Sequence, residues 1–402
     1  MKHLTYYVSA CAILVLVTLF LLIKTVTQDV SVKDIEKAIP TENDNTFATA
    51  AISAKNWTDL PLKIPSGFSI SYFAKTLSGA RILALDPRGN VIVSLTQVWK
   101  IAILWEIDKS WKASKIKTIL SNLSKPHWLL ITGTGTQTKL YVAETDKITR
   151  YDYDVDKLEA TKPKKIQELP SNGRHFTRTL LGLPDGNILV SIWSSCDACI
   201  EKDGNRASVL IMKPDGTEVK KYATWLRNTV FMRLNHRTNE VWATEMWRDY
   251  QGDDLPPDEI NILKSWGFYG WPFCYGKKIP DISFETGTNN RCSTSTPSLI
   301  DIPAHSAPLG LAFIPDNWPK KYQWDLLVAY HGSWNRSIPT GYKIVRMRFD
   351  SEGNYTGSED FITGWISNGK IQGRPVDLLF APDGVLYISD DKIWAIYKMA
   401  PH

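Results

Sequence analysis

Cysteine is scarce in this chain, with five in 402 residues. A fold stapled throughout by disulfides is therefore excluded. Concentrated basic blocks are missing as well. The 47 Lys and Arg are spread among 42 Asp and Glu for a net charge of +5, which speaks against a nucleic-acid partner, since that would want a basic stripe. Helical amphipathic stretches of useful length do not occur beyond the N-terminus, which points to strands, with a large pair of β-sandwiches as the alternative to a repeat fold. Long apolar runs are absent too, with one exception at Val8–Ile23. Tryptophan, by contrast, is abundant at 16 residues. Indoles fill cores and also stack on sugars.

Lys2 and His3 precede the one apolar run and Lys24 closes it. Its length falls between a signal-peptide core and a full membrane span. No small-residue cleavage site follows closely, so residues 1–24 read as an uncleaved N-terminal anchor helix with the bulk of the chain outside the cytoplasm. Secretion after cleavage is the alternative. Residues 25–58 are polar and mixed in charge and read as a tether, leaving 59–402 as the folded domain.

Cys11 lies in the anchor, which leaves Cys196, Cys199, Cys274 and Cys292. An even number in an exported domain points to disulfides, and the short loops favour Cys196–Cys199 and Cys274–Cys292. A four-cysteine zinc site competes, but the second pair lacks the usual tight spacing.

From Leu62 onward a repeat governs the pattern. Six segments share an apolar approach, a turn and a short apolar strand: Leu83–Leu95, Leu129–Glu144, Leu180–Ile192, Arg233–Glu245, Leu311–Tyr330 and Leu378–Asp390. Pro-Asp-Gly and its relatives supply the turns, with Pro fixing φ and Gly accepting positive φ. The following strands open at Asn90, Lys139, Asn187, Asn239, Asp325 and Gly384, with gaps of 49, 48, 52, 86 and 59 residues. Periods near 50 with four-strand units are those of propeller blades. Further strands such as KIAILWEI and YKIVRMRF fit as outer strands. The expected fold is all-β, a six-bladed β-propeller. The long gap places an insertion in the fourth unit, and it contains Gly252–Gly276, where Asp253, Asp254, Asp258 and Glu259 crowd around two prolines. Carbonyls and carboxylates in such a loop suit a hard cation, although a solvated acidic turn is the commoner outcome.

Several motifs sit at matching places in the repeat. His175 precedes the third repeat turn, and a histidine there is a natural base near neutral pH. Arg227 and Asn228 precede the fourth, where they can grip a carboxylate or quinone oxygen. Arg374 precedes the sixth. His331 through Arg336 follow the fifth repeat strand, a run rich in hydrogen-bonding and stacking groups that also holds a glycosylation sequon at Asn335. Repeat symmetry brings these positions to one end of the axis. Cationic groups gathered there imply an anionic ligand, and the acidic loop implies a cation beside it.

In order, the motifs HFTRT, SSCDAC, LRN, GDDLPPDEIN, YGWPFCYG, PAHSAPLGLAF, HGSWNR, PTGYK, GRPVD and APDG…YISDD closely resemble the soluble glucose/sorbosone dehydrogenase family. These are propeller enzymes that use pyrroloquinoline quinone (PQQ). The resemblance runs from about Leu62 to the C-terminus and implies PQQ and Ca²⁺ at one end of the axis. By it, His175 matches the catalytic base, and Arg227 and Asn228 match a pair that polarises cofactor and substrate. Arg374 matches a clamp on a cofactor carboxylate. Arg336 falls near a cofactor-binding lysine of the glucose branch, His331 joins it on the cofactor side, and Gly252, Asp253 and Asp254 fall where carbonyls meet Ca²⁺. Two departures stand out: Arg174 replaces an acid of the glucose branch, and Trp193-Ser194-Ser195 replaces an acidic turn. Both place the chain nearer the sorbosone-like branch.

The resulting expectation is a dehydrogenase acting on a small sugar or sugar aldehyde and delivering electrons to an acceptor that the sequence does not name. A calcium-dependent propeller lactonase and a non-enzymatic, membrane-tethered binding propeller are the alternatives.

Overall fold

The computed structural model describes residues 53–108, 112–284 and 291–402. The expected anchor and nearly all of the expected tether lie outside them. Among the described residues no helix is long and apolar enough to cross a membrane. Strands dominate and are grouped in six sheets of four or five, with two small hairpins beside them. The six repeat segments are the first two strands of six blades, as the period predicts. Within each blade the first three strands run antiparallel in sequence order. The first strands are Ala80–Leu85, Trp128–Thr132, Arg178–Gly182, Thr229–Asn235, Pro308–Phe313 and Pro375–Phe380. They pack side by side in a closed ring about the axis, so the expected six-bladed propeller is the fold.

The sixth blade is completed by the other end of the chain. Phe68–Ala74 pairs antiparallel with Ala395–Pro401 as its fourth strand. Lys55–Asn56 then adds a parallel strand against Ser69–Ile70, so the folded part begins inside the stretch read as tether. Turn chemistry follows the expectation. In the third and sixth blades Asp185 and Asp383 accept a hydrogen bond from the backbone N–H two residues on. The glycines after them, Gly186 and Gly384, take positive φ, which costs a residue without Cβ nothing.

The strands expected to be outermost are in fact third. Lys100–Ile107 pairs on its far side with Ala113–Leu120, and Lys343–Phe349 with Tyr355–Ile362. These fourth strands are largely exposed and carry little apolar alternation. A half-solvated edge needs no apolar pattern, so sequence periodicity passes over it.

Neighbouring blades are tied by hydroxyls as well as by apolar packing. Ser191 donates to the Thr229 carbonyl at 2.7 Å and Thr244 to the Leu309 carbonyl at 2.9 Å. The axis is plugged by an ion pair between non-adjacent blades, with Arg233 Nη2 2.9 Å from Asp377 Oδ1. Asp377 also accepts the Leu83 N–H at 2.8 Å. With its charge doubly met, this buried carboxylate is compensated in the way buried ions require.

The fourth blade departs from the expectation that Gly252–Gly276 lies within its insertion. Residues 252–257 belong to the loop between its second and third strands, whereas Asp258–Leu263 is the third strand itself, almost wholly buried. The insertion follows, between Leu263 and the fourth strand Ile300–Ile302. It reaches back to the third blade, where Gly267–Phe268 pairs parallel with Ala223–Thr224. It also grips the 246–257 loop, because buried Asp281 accepts from Arg248 and from Gln251, each at 2.9 Å.

Cys196 and Cys199 are joined in a disulfide. Both sulfurs are thereby withdrawn from metal binding, and the four-cysteine zinc alternative falls. Cys274 and Cys292 lie buried in one apolar cluster with Phe273, separate from the first pair.

Candidate functional site

In an antiparallel blade the start of the first strand and the end of the second share one rim of the propeller. His127, His175, Arg227, His305 and Arg374 lie one to three residues before first strands of five blades. Ser194, Asp249, His331 and Asp391 lie just after second strands. The expected convergence of His175, Arg227 and Arg374 on one rim is thus a consequence of the topology, and His331 joins them there.

His175 is half-buried against Trp193, with ring centroids 6.0 Å apart. Its Nδ1 is 3.0 Å from the Ser194 carbonyl oxygen and 3.2 Å from the Ser194 hydroxyl. A carbonyl only accepts, so Nδ1 carries the proton and Nε2 keeps a lone pair. Burial, and then the nearby Arg227 and Arg174 charges, push the imidazole down to about 3. It is therefore a neutral base over the physiological range. Gly173 makes the close approach possible, since a Cβ there would lie 2.8 Å from Ser195 Cα.

Arg227 is buried and gripped by protein. Nε donates to the Asp197 carbonyl at 2.8 Å, Nη2 to Asp197 Oδ1 at 2.7 Å and Nη1 to the Met246 carbonyl at 3.0 Å. Arg174 joins the same carboxylate at 3.2 Å and reaches Asp249 at 2.9 Å. Asp249 Oδ1 accepts from Asn335 at 2.8 Å. Behind Asn228, the buried Glu245 accepts its N–H and the Thr229 hydroxyl. Glu245 stands directly across the strand pair from Glu259. Burial pushes Glu245 up to about 7 and Glu259 up to about 8, helped in Glu259 by the charge of Glu245.

On the far side of the rim Arg374 Nε donates to the His331 carbonyl at 3.1 Å and Nη2 to the Gly332 carbonyl at 2.6 Å. His331 Nε2 is 2.9 Å from Asp391, which also pairs with Arg81 at 2.5 Å. The run His331–Arg336 therefore spans the rim. Its start meets Arg374 and Asp391, and its end meets Asp249 and the acidic loop.

That loop is clamped. The Gly252 carbonyl is 2.8 Å from His305 Nε2, and the Asp253 carbonyl accepts from Arg336 Nη1 at 2.8 Å. Arg336 Nη2 pairs with Asp254 at 2.8 Å, and Asp253 Oδ1 accepts the Ser337 N–H at 3.0 Å. Asp258 accepts the N–H groups of Trp247 and Ala307, each at 2.9 Å. Glu259 accepts the Gly276 N–H at 2.6 Å. Asp258 and Glu259 are thus internal braces, and Arg336 is a loop brace whose guanidinium faces the acidic loop.

Fit to the implied groups rests on what remains unpaired. Asn228 Oδ1, Asn335 Oδ1 and Arg81 Nε are buried with no partner among the described residues. Arg374 spends only Nε and Nη2 on backbone carbonyls. Spare guanidinium donors beside amide oxygens and a neutral imidazole suit a planar carboxylated quinone. For a hard cation, the Gly252 and Asp253 carbonyls each keep a second lone pair, and Asp254 offsets the Arg336 charge. The oxygen set therefore fits Ca²⁺. His305, Asp197, Asp249, Asn335 and Asp391 were not assigned from sequence as site residues. The signal for His305 was its place three residues before a first strand, the same offset as His175.

A family model described as TrAA12-like matches residues 62–400. An uncharacterized protein of Borreliella burgdorferi is 29% identical over 84% of this chain and 90% of its own. A PQQ-dependent pyranose dehydrogenase of Coprinopsis cinerea is 24% identical over 84% of this chain, and the match spans only 55% of that protein. Among solved structures, the holo PQQ domain of the Coprinopsis pyranose dehydrogenase superposes with a TM-score of 0.74 at 20% identity, covering 86% of this chain and 99% of the domain. The calcium structure of a Trichoderma reesei family AA12 enzyme gives 0.75 at 18%, covering 87% and 100%. At such identities these two superpositions establish the shared fold.

Proposed function

Given that the chain belongs to the TrAA12-like family, we propose that it is a quinoprotein sugar dehydrogenase with its site on the rim described above. The observation that carries this reading is the gathering of a neutral, half-buried His175 and spare guanidinium and amide groups from several blades on one rim. In this assignment Arg374 and Arg227 bind the carboxylates and quinone edge of PQQ, with Asn228 and His331 beside them. The carbonyls of Gly252, Asp253 and Asp254 hold Ca²⁺, and Arg336 fixes their loop. When bound, the quinone supplies a hydride acceptor and Ca²⁺ a Lewis acid.

The chain's own part is proton handling and orientation. His175 Nε2 takes the proton of the sugar hydroxyl whose carbon is oxidised. The Ser194 carbonyl, accepting from Nδ1–H, holds the ring in that tautomer and steadies the imidazolium as it forms. Arg227 sits near enough to disfavour a resting imidazolium, which keeps the base unprotonated.

The substrate in this reading is a sugar or sugar aldehyde of sorbosone type. Arg174, tied to Asp197 and Asp249, faces the same side as the base and offers donors where the glucose branch would offer a carboxylate. A separate acceptor takes the electrons onward, and the apolar run Val8–Ile23 anchors the enzyme to a membrane.

The test is reconstitution of the purified protein with PQQ and Ca²⁺, followed by a panel of aldoses, pyranoses and sugar aldehydes with an artificial electron acceptor. Turnover on at least one member that needs both additions is expected. Turnover on lactones with calcium alone would instead favour hydrolysis.

A further inference from the structure

The segment Ser194–Cys199 lies between the base and the buried arginine and holds both. The Ser194 carbonyl accepts from His175 Nδ1 at 3.0 Å, and the Ser194 hydroxyl donates to the Cys196 carbonyl at 2.8 Å. Asp197, between the two cysteines, grips Arg227 through its carbonyl at 2.8 Å and through Oδ1 at 2.7 Å. The same Oδ1 accepts the Asp249 N–H at 3.1 Å. The segment has no helix or strand of its own. It is closed by the Cys196–Cys199 disulfide, half-buried under Trp247, Trp271 and Tyr275. Glu201, just beyond, accepts from the Ser195 hydroxyl at 2.9 Å.

A disulfide that closes so short a loop removes little chain entropy from the unfolded state. Its consequence is local, and what it fixes locally is the geometry of His175 and Arg227. We propose that the Cys196–Cys199 disulfide is a redox-sensitive positioning device for the site, a proposal that rests on the dehydrogenase reading. Oxidised, it holds Ser194 against His175 and Asp197 against Arg227. A dithiol reduces it by supplying two electrons and two protons: the S–S bond breaks to two thiols and the dithiol becomes a disulfide. The loop then relaxes, water reaches the imidazole, and turnover falls while the propeller stays folded.

The test uses the full-length protein and the double variant Cys196→Ser/Cys199→Ser, which leaves Cys274 and Cys292 untouched. Three quantities are compared with wild type: the unfolding midpoint, the imidazole NMR signals of His175 in the cofactor-free protein (assigned against His175→Gln), and kcat and KM after loading with PQQ and Ca²⁺. The midpoint should stay within a few degrees. The His175 pKa should rise by about one unit or more as desolvation is relieved, and kcat should fall roughly tenfold or more, on the scale of a lost general-base contribution. Unchanged His175 signals together with unchanged kcat would overturn the proposal. So would loss of cooperative unfolding, which would make the disulfide a folding staple. If loaded wild type oxidises no sugar, the dehydrogenase reading fails separately, and the His175 signals still decide whether the disulfide positions that side chain.

Discussion

At the scale of single residues the site is built from groups whose partners define their state. His175 is neutral because it is half-buried beside two guanidiniums, and its folded value near 3 lies well below the ordinary histidine value. The sign of the linkage is set by that lowering. The neutral ring stabilises the fold fully above about pH 6.5, and this contribution is lost as pH falls toward 3. A kcat/KM profile should therefore show no acid limb near 6.5 from this base, and it should show none in His175→Gln either. His175→Ala should lower kcat about 10²- to 10⁴-fold, with cofactor affinity, measured by calorimetry, changed little. Arg374→Ala should act in the opposite way, weakening PQQ affinity about tenfold or more while kcat at saturating cofactor changes less. That His175, Arg227 and Arg374 share one rim was legible because the repeat marks their positions. Asp197 and Asp249 were not, since their meaning comes from pairing with Arg174 and Arg227, and no local pattern reports a contact between residues 23 to 75 positions apart.

Strands and loops explain what the residues cannot. Glu245 and Glu259 face each other across the second and third strands of the fourth blade, both buried and both raised. The folded state holds the Glu259 proton up to about pH 8, whereas the unfolded chain releases it near the ordinary value of 4.5. Its contribution to stability is therefore fully present at low pH and is lost as pH rises through 8. The unfolding midpoint of wild type should drop between about pH 4.5 and 8, and Glu259→Gln should flatten that drop in calorimetric scans. The acidic stretch that looked like one turn in sequence divides into a loop facing the site and a buried strand behind it. The bracing role expected of Asp258 and Glu259 agrees with their hydrogen bonds to backbone N–H groups. Composition does not show that they lie on a buried strand, because they have the same charge as Asp253 and Asp254 and differ only in what covers them. The fourth strands of the blades escaped notice for the converse reason. Ala113–Leu120 and Glu159–Glu168 are mostly exposed, and an exposed strand leaves no apolar signature.

For the molecule as a whole, ring closure is the main structural commitment. Phe68–Ala74 completes the sixth blade from the far end of the chain, covering an edge that would otherwise stand open. A chain starting at Ser53 should unfold cooperatively, whereas one starting at Lys75 should aggregate or lose its cooperative transition, as circular dichroism on heating would report. The six-fold period made this architecture readable, and the closing strand, which comes before the first repeat segment, lay outside it. The binding rim makes a second prediction at this scale. If the Gly252–Asp254 oxygens hold the cation, chelation should abolish turnover of the loaded protein. Ca²⁺ should then restore it far better than Mg²⁺, because an irregular carbonyl set suits the larger, less demanding ion.

The central claim is that one rim of the propeller binds the quinone and presents His175 as the base. Stopped-flow absorbance of PQQ- and Ca²⁺-loaded protein mixed with a sugar that supports turnover tests it most directly, in wild type and in His175→Gln. The cofactor spectrum should change rapidly on mixing with wild type and about 10²-fold or more slowly in the variant, at equal cofactor occupancy. Equal rates in the two proteins, or wild type that takes up no quinone at all, would contradict it.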